Sequence, residues 1–383
     1  MSFKTDRPAK TGRGGAATVL DVGRLAGVSG KTVSRVINGD GAIRPSTRDR
    51  VRAAMEALDF HPNQAARSLR SARSFNIGLL TAHFSSFYFA EVVRGAARAC
   101  AGHDYHLLIK EAPPEREARR LDSVLSQLKV DGFVLLPPLT DDAALLEALD
   151  RLGKPFVRIS PAANTDRWPS VTADDASGVK ALARHLWSLG HRRFGYVGGP
   201  ASHGATHVRR QSFAAALLEA GVRPRDILDY QMPEALVLES QRHRTARAAA
   251  ETGAQAVDRF MASPNPPTAL FAFSDEIASG AVARAHQFGL SIPRDIAIAG
   301  FDDSDIGRIL HPPLTTIRQP IIEMMEDAIR RLIERTGAGV SQSHAVELLV
   351  RASTDPGIVD ELAPHIHPGA ERLGGETDDE EQI

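Results

Sequence analysis

One short segment near the N-terminus, GKTVSRVIN at residues 30–38, is rich in polar and cationic side chains. On a helix, Lys31 and Arg35 are four residues apart and therefore lie on one face, one turn apart. Long cations reach guanine edges in a DNA major groove, while short hydroxyls and amides reach phosphates. The segment therefore predicts a DNA-reading helix face; the alternative is a polar face that meets only solvent.

The residue patterns of enzyme and metal chemistry are missing from the sequence. It has no GxGxxG opening a helix, no GxxxxGK(S/T), no GxSxG and no HExxH. His203 and His207 are four residues apart, but their surroundings indicate a loop and offer no third metal ligand. Cys100 is the single cysteine, which excludes a disulfide framework. We therefore expect no enzyme activity, no cofactor and no metal.

Three short helices would position the DNA-reading segment. Thr18, followed by Asp21, predicts a capped first helix. A turn with Gly27 follows, Ser29 can cap the second helix, and Pro45 suits the first turn of a third. This is the pattern of a helix-turn-helix, although other small helical bundles share it. The predicted apolar faces contain Val22, Leu25, Ala26, Val28, Val33, Val36, Ile37, Val51, Ala54, Met55 and Leu58.

Short apolar runs alternate with amphipathic helical segments from Phe75 onward. The runs are NIGLLTA, DGFVLLPP, KPFVRIS, RRFGYVGG, TALFAFS and DIAIAGF. Strands that alternate with helices predict parallel sheets with helices on both faces. Residues 1–17 read as a flexible basic arm, and residues 356–383 as a flexible acidic tail.

Charge is unevenly divided along the 383 residues, whose formal net charge is −1. Residues 1–74 contain 14 basic and 6 acidic residues, whereas the remainder is acidic overall. A basic module joined to an acidic body is typical of a protein that binds a polyanion; a basic arm without a partner is the alternative. No apolar run reaches the roughly 18 residues of a membrane span, and a signal-peptide core is missing, so we expect a cytoplasmic protein.

The stretch VLDVGRLAGVSGKTVSRVINGDGAIRPSTRDRVRAAMEALDFHPNQAARSLR resembles, without a gap, the DNA-binding head and hinge of the lac-repressor/galactose-repressor (LacI/GalR) family of bacterial transcription regulators. The resemblance implies a helix-turn-helix domain at 18–62 and a hinge helix at 63–74. It assigns base reading to Gly30, Lys31 and Arg35. It assigns phosphate contacts to Ser29, Thr32, Ser34, Asn38, Thr47 and Asn63. Gly30 departs from the family, which often has a larger side chain there.

The hinge sequence HPNQAARSLRS implies a further DNA contact. In the family this segment folds into a short helix on operator DNA and wedges a leucine into the minor groove. The matching residues are Leu69 and its neighbour Ala66. Without the family, Leu69 is an exposed apolar residue in a basic linker.

Residues 75–355 resemble the family's effector-binding core, which is similar to periplasmic sugar-binding proteins. The fold class implied is α plus α/β, with two Rossmann-like subdomains of the periplasmic-binding-protein type behind the helix-turn-helix head. The chain would cross between them near Ala173, Asp303 and Arg331. That division gives one subdomain at about 75–173 and 304–331, and the other at about 174–303 and 332–355.

Ligands of open α/β sheets bind beyond the carboxyl ends of the strands, where this chain has polar and aromatic residues. The positions that match the family's effector site are Ser85, Tyr88, Phe89, Ser160, Arg209, Ser274, Asp275 and Asp302. Each has an alternative. Tyr88 and Phe89 could pack a helix, Asp302 could belong to a helix N-terminal charge cluster, and Arg209 could be a surface residue beside Arg210.

The function these patterns favour is that of a sequence-specific DNA-binding regulator, a repressor, controlled by a small-molecule effector. A sugar is the expected effector, and double-stranded DNA with a near-palindromic operator is the expected partner. Tetramers of the family use a C-terminal leucine heptad, whereas the tail here is acidic and broken by prolines, so the resemblance implies a homodimer. The alternatives are a solute-binding protein of a transport system and an α/β enzyme.

Overall fold

The computed structural model describes two compact units, residues 1–75 and 76–383. Within them it describes residues 17–37, 42–60, 73–82, 86–112, 121–162, 167–240, 245–335, 341–355 and 357–358. Nearly all of the predicted arm, hinge and acidic tail lies outside these ranges. In the described part of the chain, no helix is long and apolar enough to cross a membrane.

The described residues of the first unit form three helices: α1 Val19–Ala26, α2 Gly30–Ile37 and α3 Pro45–Ala57. The predicted capping box begins α1, because the Thr18 hydroxyl accepts from the Asp21 N–H at 3.3 Å and the Asp21 carboxylate accepts from the Thr18 N–H at 3.0 Å. Gly27 ends α1 with a φ of +66°. A Cβ on Gly23 would lie 2.8 Å from the Val28 carbonyl oxygen, so the turn between α1 and α2 closes tightly over this glycine.

The core of the first unit contains most of the apolar residues predicted to form it. It is built from Val22, Ala26, Val33, Val36, Ile43, Val51, Ala54 and Phe60. Leu25 was expected on the inner face of α1 but is 55% exposed. The buried face of α1 is centred between Val22 and Gly23, and at 3.6 residues per turn Leu25 falls about 110° away from it. The prediction for Leu25 was therefore wrong.

One half of the second unit is built on a six-stranded parallel sheet. Its strands are β1 Asn76–Thr81, β2 His106–Glu111, β3 Gly132–Leu135, β4 Phe156–Ile159, β5 Ser170–Ala173 and β11 Ser341–His344, in the order β11-β5-β4-β3-β1-β2. The helices of this half are α4 Phe87–Gly102, α5 Leu121–Gln127, α6 Ala143–Arg151 and α13 Ile321–Glu334. Strands β3 and β4 are entirely buried. The sequence of β3 is apolar throughout, whereas β4 contains the buried Arg158, whose Nη1 donates to the Thr140 carbonyl at 3.2 Å.

The other half is built on a four-stranded parallel sheet. Its strands are β6 Phe194–Gly198, β7 Ile227–Gln231, β8 Ala269–Ala272 and β9 Ala297–Ala299, in the order β7-β6-β8-β9. Its helices are α7 Asp175–Ser188, α8 Gly204–Glu219, α9 Glu234–Glu239, α10 Thr245–Met261, α11 Asp275–Gln287 and α12 Asp305–Ile309. An antiparallel pair, β10 Thr316–Arg318 and β12 Glu347–Leu349, packs beside α7.

The chain crosses between the two halves near Asp174, near Gln319 and at residues 345–346. Two of these positions differ from the predicted crossings near Asp303 and Arg331. Ser304 donates from its N–H to the Asp275 carboxylate at 2.7 Å, which keeps the chain after Asp303 in the second half. After Arg331, the chain still adds β11 to the first sheet before it crosses.

Glycines bring α10 and α11 into backbone contact, which leads to a stability prediction. A Cβ on Gly280 would overlap the carbonyl of Ala250 on the facing helix. We expect Gly280→Ala to lower the free energy of unfolding by about 3 kcal/mol, because packed helix backbones cannot move apart without losing contacts. Gly102→Ala is the matched control, since nothing lies within 4 Å of its Cβ position. Urea unfolding measures both, and equal stabilities would contradict this packing.

Candidate functional site

The outer face of α2 carries the predicted DNA-reading side chains. Lys31 and Arg35 are exposed, whereas Val33 and Val36 are buried against the rest of the first unit. Ser29 caps the helix: its Oγ accepts from the N–H of a threonine three residues later, at 3.1 Å. Hydroxyls at the start of the helix and long cations along it have the chemistry needed for phosphates and base edges.

The other predicted DNA contacts divide into described and undescribed positions. Thr32, Ser34 and Thr47 are half-buried. A Cβ on Gly30 would lie 3.3 Å from the Leu20 side chain, so the start of α2 is closely packed against α1. The remaining predicted residues, Asn38, Asn63, Ala66 and Leu69, lie outside the described residues.

A cavity of about 140 Å³ lies in the second unit, between its two sheets. Its wall includes residues that follow the carboxyl ends of strands from both sheets, among them Ser160 after β4, Ser274 after β8 and Asp302 after β9. This is where open α/β sheets bind their ligands. The predicted residues Tyr88, Phe89, Ser160, Arg209, Ser274 and Asp302 all line it. Ser85 lies outside the described residues.

Arg209 is 5% exposed and is held from several sides. Its Nε donates to the Asp175 carboxylate at 2.8 Å and its Nη1 to the Phe273 carbonyl at 2.6 Å. Its guanidinium carbon lies 3.4 Å from the centre of the Phe301 ring. Burial opposes the charged form, but Asp175 and Asp302 outweigh it and raise the pKa of Arg209.

The neighbouring Arg210 has a different environment. Its Nη2 donates to the exposed carboxylate of Asp229 at 2.6 Å, on the outside of the second unit. Of the two adjacent arginines, only Arg209 lines the cavity. The sequence alone left the choice between them open.

Asp302 lines the cavity and also contacts the segment near Gln319, where the chain crosses between the two halves for the second time. Its Oδ1 accepts from Gln319 Nε2 at 2.7 Å, and Gln319 also lines the cavity. Burial raises the pKa of the Asp302 carboxyl well above its usual range, while the Arg209 guanidinium opposes that rise. Asp302 has a φ of +106° and Ser160 a φ of +47°, a backbone strain that proteins concentrate at functional sites.

Asp275 supports the cavity wall from behind and is not part of its lining. Its carboxylate accepts from the Ser304 N–H and from the Thr316 hydroxyl, both at 2.7 Å. Burial raises the pKa of Asp275 to about 7, against the opposing effect of these hydrogen bonds. The residue therefore fixes the loop that carries Asp302, and a direct ligand contact from it is not supported.

Several lining residues were missed by the sequence analysis. His203, Phe273, Glu276 and Gln319 all face the cavity. Phe273 and Glu276 lie on either side of the predicted residues Ser274 and Asp275. Their position just after β8 was therefore the signal that could have identified them as lining residues. Gln319 lies in the segment HPPLTTIRQP, whose role was expected to be mostly structural.

Comparisons with known proteins agree with both units. A family model described as bacterial regulatory proteins, lacI family, matches residues 18–63, and a periplasmic binding protein-like domain matches residues 183–354. The HTH-type transcriptional repressor CytR of Escherichia coli K12 is 30% identical over 347 residues, which cover 88% of this chain and 96% of CytR. The chain belongs to the LacI family. The predicted family resemblance is therefore confirmed.

Two further relatives extend the comparison of this LacI-family protein. An uncharacterized HTH-type transcriptional regulator of Streptomyces limosus is 34% identical over 345 residues, covering 88% of this chain and 94% of the relative. The solved structure of the transcriptional regulator CelR in complex with cellobiose has a TM-score of 0.63 and 27% identity, covering 88% of this chain and 99% of CelR. The predicted fold class is confirmed, and the chain is a DNA-binding transcriptional regulator rather than an enzyme.

Proposed function

We propose that this LacI-family protein is a repressor whose affinity for operator DNA changes when a small sugar occupies the cavity of the second unit. The observation that carries the proposal is the convergence of Arg209 and Asp302 on one cavity. Carboxylates and guanidinium groups offer the paired hydrogen bonds that suit vicinal hydroxyls. Because a transcriptional regulator must reach DNA, we infer that the protein works in the cytoplasm.

The shape and lining of the cavity support a sugar. A volume of about 140 Å³ has room for several water molecules that a small ligand can replace. Tyr88, Phe89 and Phe273 line the cavity, and aromatic residues are common in the walls of small-molecule sites. Burial raises the pKa of Tyr88, so its phenol stays a neutral hydrogen-bond donor. CelR, a relative by structure, is known in complex with cellobiose.

On DNA, α2 would lie in the major groove with Lys31 and Arg35 on base edges. Phosphate contacts would come from Ser29, Thr32, Ser34, Asn38, Thr47 and Asn63, and minor-groove contacts from Ala66 and Leu69. A homodimer would place two such helices one helical turn apart, on a near-palindrome with half-site centres about 10 bp apart.

The hydrogen bond between Asp302 and Gln319 can couple ligand binding to the relative arrangement of the two halves of the second unit. A ligand that bonds to Asp302 acts on a hydrogen bond to Gln319, which stands at one of the crossings between the halves. A ligand changes an equilibrium only by its preference for one arrangement, and 1–3 kcal/mol of such preference changes DNA affinity about 5- to 150-fold.

A gel shift with duplexes selected from a random library tests the proposed function. The full chain is expected to select a near-palindromic sequence, and a sugar found by thermal-shift screening is expected to change the fraction bound. The sign of the change tells whether the sugar releases DNA or promotes binding. Selection of no sequence, or a fraction bound that no cavity ligand alters, would contradict the proposal.

Ile309 is the most exposed large apolar side chain in the described part of the second unit, and we therefore propose that it lies in the homodimer interface. It is 80% exposed on α12, and burying an isoleucine contributes about 2 kcal/mol. A two-fold interface buries the same residue twice, so we expect Ile309→Glu to weaken dimerisation at least about a hundredfold. Sedimentation velocity measures this, with Leu238→Glu as control because Leu238 is 49% exposed on another helix, α9. An unchanged dimer in Ile309→Glu would contradict this assignment of the interface.

A further inference from the structure

A second carboxylate in the cavity wall connects the two halves of the second unit. Glu276 is 7% exposed and stands near the start of α11, in the half built on the four-stranded sheet. Its Oε1 accepts from the N–H of Phe87 at 2.8 Å. Phe87 is the first residue of α4, which belongs to the other half. The side chain of Glu276 therefore reaches across the cavity and binds the start of a helix.

The start of α4 would otherwise be a natural place for an anion. The first N–H groups of a helix have no partner within it, and with the helix dipole they bind phosphates and carboxylates. Here the chain fills the position itself. Glu276 accepts from Phe87, and the Ser86 hydroxyl accepts from the Phe89 N–H at 3.1 Å.

The remaining charges of the cavity do not favour an added anion. The described lining residues with formal charges are Arg209, Glu276 and Asp302. Arg209 is already paired with Asp175, 2.8 Å away, and the Asp302 carboxyl is a second acidic group near it. An entering phosphate would have to displace the Glu276 carboxylate or force a carboxylate to take up a proton. Either event would lower its affinity.

We propose that Glu276 is a specificity-determining residue, an anion built into the cavity, which selects uncharged hydroxylated ligands and excludes their phosphate esters. This proposal rests on the proposed function and narrows its ligand class. Neutral hydroxyls can donate hydrogen bonds to the carboxylates, whereas a phosphate monoester is repelled by them.

Two variants separate the charge of Glu276 from its shape. Glu276→Gln keeps an oxygen that can accept from Phe87 but removes the charge. Glu276→Ala removes the carboxylate and frees the Phe87 N–H for another anion. Glu219→Gln is the control, because Glu219 is an exposed carboxylate at the end of α8, outside the lining. Thermal unfolding and circular dichroism of each variant verify that it is folded.

The experiment uses the full chain and calorimetry with pairs of probes: hexoses, pentoses and disaccharides, each beside its monophosphate. In the wild type and in Glu219→Gln, we expect every monophosphate to bind at least about a hundredfold more weakly than the neutral sugar that binds best. In Glu276→Gln the ratio of the affinity for the neutral sugar to the affinity for the monophosphate should fall about tenfold. A monophosphate that binds the wild type as tightly as its parent sugar would overturn the proposal.

Inorganic phosphate provides a second measurement that needs no identified sugar. At equal ionic strength with chloride, phosphate should raise the melting temperature of Glu276→Ala more than that of the wild type, because ligand binding stabilises the folded state. Equal shifts in both proteins would overturn the proposal even if no sugar binds. Failure of the wild type to bind DNA would overturn the regulatory function instead, since neither readout here involves DNA.

Discussion

Arg35→Ala is expected to lower the affinity for the selected operator by about 30- to 10⁴-fold while leaving ligand binding in the cavity unchanged. A good base contact contributes roughly 1–3 kcal/mol, and a dimer on a palindrome makes each contact twice. Arg35 is exposed on α2 in the first unit, whereas the cavity lies in the second. Fluorescence anisotropy measures the DNA affinity, and calorimetry measures the ligand affinity.

The ratio of the protein's affinity for the operator to its affinity for a scrambled duplex distinguishes base reading from phosphate binding. Loss of a base contact lowers this ratio, while loss of a phosphate contact weakens both duplexes alike. Arg24→Ala is the matched control, because Arg24 is an exposed cation on α1 that pairs with Asp21 at 3.3 Å. An unchanged ratio in Arg35→Ala would show that Arg35 does not read bases.

Asp302→Ala is expected to remove the effector response while operator binding persists. Losing a hydrogen bond that a sugar hydroxyl donates to this carboxylate costs about 1.5–3 kcal/mol, which corresponds to a ligand affinity roughly 10- to 150-fold weaker. Gln319 would also lose its acceptor at 2.7 Å, so a ligand could no longer act on that crossing. Calorimetry gives the ligand affinity, and anisotropy with the operator gives the response.

Asp302→Asn is the matched variant for the same position. Asparagine tolerates the positive φ of +106° and can still accept from Gln319, but it carries no charge. We expect a smaller loss of ligand affinity than in Asp302→Ala. If both variants bound the ligand as the wild type does, the cavity would not be the effector site.

The sequence predicted those features that depend on local spacing. Thr18 and Asp21 form the expected capping box, and α2 presents Lys31 and Arg35 outward because Val33 and Val36 face the core. Lining residues at strand ends, such as Ser160, were also predictable, since parallel strands bring their carboxyl ends to one edge of the sheet.

Features that depend on contacts between distant segments were not predictable. Asp275 and Glu276 are consecutive, yet only Glu276 faces the cavity, because successive helix residues point about 100° apart. The crossings near Gln319 and at 345–346 depend on pairing of β10 with β12 and of β11 with β5, across long stretches of chain. Local patterns carry no information about such pairings.

Anisotropy of the full chain with its selected operator, with and without a sugar identified by thermal shift, tests directly whether one molecule both reads DNA and senses a ligand. We expect tight binding that weakens steeply as salt rises, and a change in operator affinity of about 5- to 150-fold on adding the sugar. Indifference to duplex DNA of any sequence at low ionic strength, or an operator affinity that a cavity-bound sugar leaves unchanged, would be the contradicting result.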